Sequence, residues 1–330
     1  MHRPRNLFRA VYVALTAALL AAGTAAPSAA ADLDDSRPPH GCRLEAGRTT
    51  LTVSSGGLDR VVVVYVPRRD AGRGDLPLVL NLHGSQGAAT WQLDGSQLEE
   101  TAESEGFLVA APQGAMVLGA GYQWNVPHVT DGDGPDDEQF LTDTIKALVR
   151  TGCADERRVY GTGYSGGARM VSQYACDHPG RLAAIAGVAG LRAGAPAAGA
   201  DGGPAPDPRT CSPDRPVPVL SFAGTGDQIN PFAGGGSPYW GYGAVAAQDR
   251  WAALNHCRRG PQDTQVTEHV TRIDHSACRG GADVVLYAIE GGGHTWPGAT
   301  VPWPPVLGTV TQEISANQIM WRFFRDHSRA

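Results

Sequence analysis

The chain has 330 residues, with 27 lysines and arginines against 33 aspartates and glutamates, which gives a formal net charge of −6. An acidic chain without a basic cluster is a poor ligand for nucleic acid or for an anionic membrane surface, so neither is expected as a partner. The six cysteines form no C-x-x-C pair and no tight cluster with histidine, which argues against zinc. No metal or other cofactor is predicted.

Residues 1–31 have the features of a secretory signal peptide. Three arginines precede an apolar run over residues 10–22, and small residues then end in an A-x-A pattern at 29–31. The apolar run is short for a membrane-spanning helix, so no membrane anchor is expected. Removal of this segment takes away three arginines and no acidic residue, which leaves 24 − 33 = −9. Residues 32–330 are expected to form a single domain, secreted from the cell as a monomer.

Strands and helices alternate along the remaining chain. "TTLTVSSGG" and "DRVVVVYVP" predict two strands joined by a Gly-Gly turn, and "LPLVLNLHG" predicts a strand covered on both faces. Further strands are predicted at "FLVAAP", 158–164, "LAAIAGVAG", 217–224 and "ADVVLYAIE", with helices at 91–105, 137–152, from 166, at 243–256 and at 312–327. This order predicts an α/β fold, with a mostly parallel central sheet and helices on both faces.

Residues 191–216 are rich in Ala, Gly and Pro and have no periodicity. They predict a surface loop rather than a linker between domains. The segment is too short to form a large helical cap, so an open cleft is expected.

The stretch "RVYGTGYSGGARM" (158–170) places G-x-S-x-G around Ser165, between a predicted strand and a predicted helix. Such a turn raises the serine hydroxyl above the sheet, and the helix start behind it offers free N–H groups. An ordinary serine in a Gly-rich turn is the alternative. The strand before and the helix after favour a nucleophile.

A nucleophilic serine needs a base, and the base needs an orienting carboxylate. In the fold that carries such a turn, the three residues follow one another along the chain in the order serine, acid, histidine, and each lies after a strand. Asp227 lies three residues past the strand at 217–224, and His294 follows three glycines after the last predicted strand. Asp249 is the nearest rival for the acid. His83 precedes Ser165 and is therefore expected to be a structural loop residue.

An oxyanion hole requires two backbone N–H groups near the serine. The loop "NLHGSQGA" after the third predicted strand offers the N–H of Ser85, and the helix start offers that of Gly166. These two residues are the predicted donors.

The acidic loop at 131–137 raises the alternative of a calcium site. It does not keep the ligand spacing of a calcium-binding loop, and Thr142 stands where that loop has glutamate. A solvated loop before an acidic helix start is expected instead.

The even number of cysteines after the signal peptide predicts three disulfides. Seven strand residues from 158 rise about 23 Å towards the serine. Eleven helical residues come back about 16 Å, so the cysteines before and after this unit end near the same level. Cys257 at the end of a predicted helix and Cys278 just before the last predicted strand form a second plausible pair. The predicted pairs are Cys153–Cys176, Cys257–Cys278 and, for the two that are left, Cys42–Cys211.

The mature chain resembles the secreted feruloyl esterase and polyhydroxybutyrate depolymerase family of α/β-hydrolases. The resemblance rests on "LHG", "YQWN", "DDEQFL", "RVYGTGYSGGARM", "YAC", "INPFAGG" and "GGGHTWPG". The family's serine, aspartate and histidine fall on Ser165, Asp227 and His294. Many relatives have asparagine after the nucleophile where this chain has Gly166, which puts any contact of that side chain in doubt.

The resemblance implies a secreted serine esterase with an ester substrate on a polymer. Feruloyl or acetyl esters of plant polysaccharide are favoured, and a polyester depolymerase is the alternative. A catalytically inactive binding protein and a peptidase are more remote, because all three catalytic residues are present and no large cap or extra domain is expected. Trp296, Trp124 and Trp240 lie in loops that could flank the cleft and are predicted to bind substrate.

Overall fold

A ten-stranded mixed sheet forms the centre of the described part of the protein. The computed structural model describes residues 41–130, 134–200 and 202–329. The predicted signal peptide lies outside these residues, and so does part of the acidic loop at 131–137.

The sheet is built from ten strands, and the described chain also forms six α-helices. The strands are β1 (Gly47–Ser55), β2 (Leu58–Val66), β3 (Leu76–Leu82), β4 (Leu108–Pro112), β5 (Ala154–Tyr164), β6 (Ala184–Val188), β7 (Val219–Gly224), β8 (Arg259–Thr267), β9 (Val270–Ser276) and β10 (Val284–Ile289). The helices are α1 (Ala89–Ser96), α2 (Leu98–Glu105), α3 (Asp137–Arg150), α4 (Gly166–Asp177), α5 (Ala244–Leu254) and α6 (Ala316–Arg325).

The strand order is β1-β2-β4-β3-β5-β6-β7-β10-β9-β8. The six strands from β4 to β10 pair in parallel, and the two strands at each edge pair antiparallel. The residues of β3, β4 and β6 are buried throughout, as strands covered by helices on both faces must be. The predicted α/β architecture is therefore confirmed, with antiparallel edges added to a parallel centre.

Three elements differ from the prediction. The helix predicted at 91–105 is two helices, because Gln97 adopts a left-handed conformation with φ 52° between α1 and α2. Strand β5 begins at Ala154, four residues before the predicted start. The long edge hairpin of β8 and β9 was missed because β8 is exposed and polar over nearly its whole length, so it shows no apolar alternation.

The disulfides are Cys42–Cys153, Cys176–Cys211 and Cys257–Cys278. The predicted pairs Cys153–Cys176 and Cys42–Cys211 are wrong, whereas Cys257–Cys278 is confirmed. Since β5 has 11 residues rather than seven, it rises about 36 Å. Helix α4 with its 12 residues returns only about 18 Å. Cys153 therefore ends about half a strand below Cys176.

No helix lies in the described residues between 191 and 216, in agreement with the predicted loop. The segment is not wholly on the surface, however, since Leu191, Arg192 and Cys211 are buried. A short hairpin of Pro196–Ala198 and Pro204–Pro206 stands in its middle. The disulfide to Cys176 fixes the end of this loop to helix α4.

None of the helices in the described ranges combines the length and the apolar character that crossing a membrane requires.

Candidate active site

Ser165 stands alone at the turn between β5 and α4, with φ 54° and ψ −118°. A positive φ is costly for a residue with a side chain and persists only where the surroundings enforce it. Here the N–H of Ser165 donates to the carbonyl oxygen of Val188 at 2.9 Å, which ties the turn to the neighbouring strand β6. The predicted strained turn is present in the structure.

Two glycines allow this turn to be so tight. A Cβ on Gly163 would overlap the backbone of Gly167, and a Cβ on Gly167 would overlap the carbonyl oxygens of Leu82 and His83. Helix α4 therefore starts directly against the end of β3. This close approach brings the loop after β3 over the serine.

Ser165, His294 and Asp227 lie within hydrogen-bond distance of one another in series. The Ser165 Oγ is 2.8 Å from Nε2 of His294, and Nδ1 of the same ring is 2.6 Å from Oδ2 of Asp227. All three side chains are buried. A ring that donates from Nδ1 to the carboxylate leaves Nε2 free to accept the serine proton.

The Asp227 carboxylate is held by its own loop. Its Oδ1 accepts hydrogen bonds from the backbone N–H groups of Ile229 and Asn230, both at 2.8 Å. The rival Asp249 has a side chain that is 56% exposed and lies 3.2 Å from Nε2 of His275. The structure thus places Asp227, and not Asp249, beside His294.

His83 is packed as a structural residue. Its Nδ1 lies 2.8 Å from the carbonyl oxygen of Gly84, its Nε2 accepts from the N–H of Gly114 at 3.0 Å, and its ring stacks on Trp124. Nδ1 must therefore carry the proton of a neutral ring. Burial lowers the pKa of His83 to about 4, which also favours the neutral form. These contacts make the loop that carries Ser85 rigid.

The backbone at Ser85 and Gly166 meets beside the serine. A Cβ placed on Gly166 would stand 3.1 Å from the Ser85 nitrogen and 2.5 Å from the Ser85 Oγ. The Ser85 hydroxyl therefore occupies the space that an asparagine at position 166 would need. This arrangement accounts for glycine after the nucleophile and brings the Ser85 loop close to the start of α4.

Tyr164 is a residue of this site that the sequence pattern did not single out. Its hydroxyl donates to the carbonyl oxygen of His294 at 2.7 Å, and its ring packs against the His294 and Trp303 rings at centroid distances of 5.0 Å. Its position directly before Ser165 in the sequence could have indicated that it belongs to the site. It links the nucleophile turn to the histidine loop.

An open groove of about 650 Å³ begins next to the serine. Its walls are mostly apolar and come from the loop after β3, from α1 and from the loop at 301–307. The aromatic members are Tyr164, Trp91, which is 56% exposed, and the half-buried Trp303. Neither tryptophan was predicted, because helix α1, which carries Trp91, and the loop of Trp303 come together only in the folded chain.

The predicted substrate-binding tryptophans are not on this groove. Trp296 and Trp124 are each 1% exposed, and their indole N–H groups donate to Asn317 and to the carbonyl oxygen of His83. The prediction that they form walls of the cleft is wrong, because both rings are used in packing. Trp240 is also buried, with its ring 6.4 Å from that of His294.

Two buried arginines, Arg169 on α4 and Arg192 after β6, also lie near the site and were not predicted. Among the described residues no group of histidine, cysteine and carboxylate side chains is arranged to hold a metal ion.

The protein matches a known family over the segment that contains the serine. Residues 61–202 match the family model described as Esterase PHB depolymerase. Residues 61–202 are therefore the part of this chain that is similar to the family. The match runs from Val61 within β2 to beyond β6 and includes the turn at Ser165, so the resemblance inferred from the motifs is confirmed.

Curated proteins similar to this chain include esterases. The chain is 32% identical over 251 residues to feruloyl esterase B of Piromyces equi, which covers 74% of this chain and 44% of that protein. It is 28% identical over 133 residues to acetylxylan esterase A of Emericella nidulans, which covers 40% of this chain and 42% of that protein. The aligned parts thus span less than half the length of either relative.

Solved structures show the same fold. An acetyl xylan esterase from Aspergillus awamori superimposes with a TM-score of 0.56 at 15% identity, covering 85% of this chain and 99% of that one. A thermostable esterase superimposes with a TM-score of 0.51 at 16% identity, covering 86% of this chain and 63% of that one. The domain has the α/β-hydrolase fold.

Proposed function

We propose that the protein is a secreted serine esterase that cleaves carboxylic esters displayed on a polymer. The observation that carries this proposal is the series Ser165–His294–Asp227, with distances of 2.8 and 2.6 Å, beside which Ser85 approaches Gly166 closely. The family match and the two curated esterases support the same class of reaction. Three disulfides among the described residues favour an oxidising compartment and hence export.

In the proposed reaction His294 Nε2 takes the proton of Ser165 as Oγ attacks the ester carbonyl carbon. Asp227 stabilises the imidazolium that forms, and the N–H groups of Ser85 and Gly166 stabilise the tetrahedral oxyanion. Collapse breaks the bond to the alcohol oxygen, which receives the proton from His294. A water molecule then attacks the acyl-enzyme with His294 as base, and the acid is released.

The groove favours a flat apolar acyl group or a sugar ring. Trp303 and Trp91 offer aromatic surface within walls that are mostly apolar. Feruloyl or acetyl esters of plant polysaccharide such as xylan are therefore the preferred substrates of this proposal. The same walls accommodate an aliphatic polyester, and the description of the matched family keeps a polyhydroxybutyrate depolymerase as the second candidate.

The first experiment tests the chemistry. Wild-type protein should hydrolyse p-nitrophenyl acetate and should be labelled at Ser165 by a serine-directed phosphonate. Ser165→Ala should lose both, whereas the matched control Ser104→Ala, on the exposed face of α2, should keep both. A wild-type protein that neither turns over nor takes the label would be a binding protein on a hydrolase fold.

The second experiment ranks the substrates. Release of ferulate from methyl ferulate or of acetate from acetylated xylan supports the polysaccharide esterase. Clearing of a polyhydroxybutyrate film without these activities moves the proposal to the depolymerase.

A further inference from the structure

Two guanidinium groups are buried beside the proposed site without a carboxylate partner. Arg169 is 1% exposed and Arg192 is 3% exposed. Neither forms an ion pair with a carboxylate in the described ranges. Burial of an unpaired charge is costly, so such a pair calls for an explanation.

The hydrogen-bonding capacity of the pair is largely unused. Arg192 donates to the carbonyl oxygen of Leu191 and to the side-chain oxygen of Asn230, while its Nε has no partner in the described structure. All three side-chain nitrogens of Arg169 are buried and make no hydrogen bond to any described residue. The Arg169 guanidinium therefore keeps five N–H donors for something else.

Aromatic rings enclose the two cations. The guanidinium carbon of Arg169 is 4.0 Å from the ring centroid of Tyr239, and that of Arg192 is 4.8 Å from Trp240 and 5.1 Å from Tyr242. These faces stabilise a cation, but they do not replace hydrogen bonds in the guanidinium plane. Burial lowers the pKa of Arg169 to about 10 and that of Arg192 to about 9, so both remain largely protonated at neutral pH.

Contacts link the two arginines and the rings around them to the proposed catalytic residues. The N–H of Arg169 donates to the carbonyl oxygen of Ser165 at 3.1 Å, one turn along α4. The Ser85 side chain lies beside the Tyr239 hydroxyl. Asn230, which accepts from Arg192, also donates its backbone N–H to Asp227.

The cover over the pair is a short hairpin. Gly234–Gly235 pair with Gly241–Tyr242, and the tip between them carries Tyr239 and Trp240. Gly234, Gly235 and Gly236 all have positive φ, and residues 235–238 are exposed. Tyr239 and Trp240 pack on the two guanidinium groups, so a ligand reaches the arginines from the cleft only when this tip moves outward.

We propose that Arg169 and Arg192 form a subsite for a carboxylate carried by the ester substrate. A carboxylate accepts two parallel hydrogen bonds from a planar guanidinium, and its negative charge offsets the repulsion between two neighbouring cations. The carboxylate can belong to the acyl part, as in a dicarboxylic half-ester, or to the alcohol part, as in a polysaccharide with uronate groups. This inference rests on the proposed esterase function.

Matched ester pairs test the subsite in the wild-type protein. Monomethyl adipate is compared with methyl hexanoate for the acyl side, and 4-acetoxybutanoate with butyl acetate for the alcohol side. Each pair differs by a carboxylate in place of a terminal methyl group. We expect kcat/KM for the anionic ester to exceed that for the neutral one by about tenfold or more in one pair, and the excess should shrink with added salt. A ratio of one or less in both pairs overturns the subsite.

Variants then test whether Arg169 causes the preference for anionic esters. Arg169→Gln should reduce the anionic-to-neutral ratio towards one, whereas Arg169→Lys should keep part of it. Arg322→Gln, on the exposed side of α6, is the control and should keep the full ratio. A preference that survives Arg169→Gln unchanged overturns the assignment to Arg169.

Binding without turnover separates this inference from the proposed function. Calorimetric titration of the Ser165→Ala variant with monomethyl adipate or 4-acetoxybutanoate should show binding that the neutral esters lack. If the wild-type protein hydrolyses neutral esters but no anionic ester binds preferentially, the subsite is wrong and the esterase stands. If no ester is hydrolysed and the serine is not labelled, the esterase is wrong, and the titration alone decides on the subsite.

Discussion

The Tyr164 hydroxyl donates a hydrogen bond to the backbone carbonyl oxygen of His294 over 2.7 Å. The residue before the nucleophile thereby holds the loop that carries the proposed base. The contact joins the ends of β5 and the segment after β10, which do not neighbour each other in the sheet. The separation between Ser165 and His294 thus depends on a bond made by neither of their side chains.

Tyr164→Phe removes this bond and leaves the ring in place. We expect kcat for p-nitrophenyl acetate to fall several-fold with little change in KM, and the free energy of unfolding to fall by about 1 kcal/mol. Steady-state kinetics and urea unfolding measure the two effects. Unchanged kcat with normal stability would show that the histidine loop is positioned without Tyr164.

Asp227→Asn should lower kcat by about 10²–10⁴-fold, because an amide stabilises the wrong tautomer of the histidine and cannot stabilise the imidazolium. Asp249→Asn is the matched control and should leave kcat unchanged, since its side chain faces His275 and solvent. Both variants should fold as wild type by circular dichroism. The reverse ranking of the two would assign the acid to Asp249.

Gly166→Ala should lower kcat by about tenfold or more, because the added Cβ would stand 2.5 Å from the Ser85 Oγ and displace an oxyanion donor. Replacement of Ser85 by glycine removes that hydroxyl and keeps the N–H. The double variant Ser85→Gly/Gly166→Ala should therefore be more active than Gly166→Ala alone, and a double-mutant cycle measures the coupling. Strictly additive losses would contradict the contact.

Peptide mapping of unreduced protein should find Cys42 linked to Cys153 and Cys176 to Cys211. Replacing Cys42 and Cys153 by serine should lower the free energy of unfolding by about 2–5 kcal/mol. The Cys257/Cys278 double variant should lose less, because its sequence separation is 21 rather than 111 residues and a longer loop loses more entropy on closure. Equal losses would mean that loop length does not decide the stabilisation here.

Trp303→Ala should raise KM for methyl ferulate more than for p-nitrophenyl acetate, because its ring lines the groove and the small acetyl group needs little of that surface. Trp296→Ala is the contrasting variant. Its ring is buried and bonded to Asn317, so it should lower the melting temperature and leave the KM ratio of the two esters unchanged. A larger KM effect at Trp296 would restore the original prediction for this residue.

Much of the fold and the three residues of the proposed triad could be predicted from short segments of sequence. The parallel strands are continuous apolar runs, so their position follows from local pattern. The turn at Ser165 shows itself through glycines at fixed distances from the serine. Asp227 and His294 follow strand ends, and the carboxyl ends of parallel strands lie at one edge of the sheet.

Local sequence features were enough to predict the candidate catalytic residues, because a strand end, a turn and a run of glycines can all be recognised within a short segment. Tertiary structure alone decided which distant side chains meet. The pairing of Cys153 with Cys42 depended on the true length of β5. The groove depended on helix α1 with Trp91 and the loop with Trp303, which are more than 200 residues apart in the chain. Trp296 is buried and does not line the cleft. Whether an aromatic ring is buried or exposed depends on the surfaces that pack against it in the folded chain and not on its sequence neighbours.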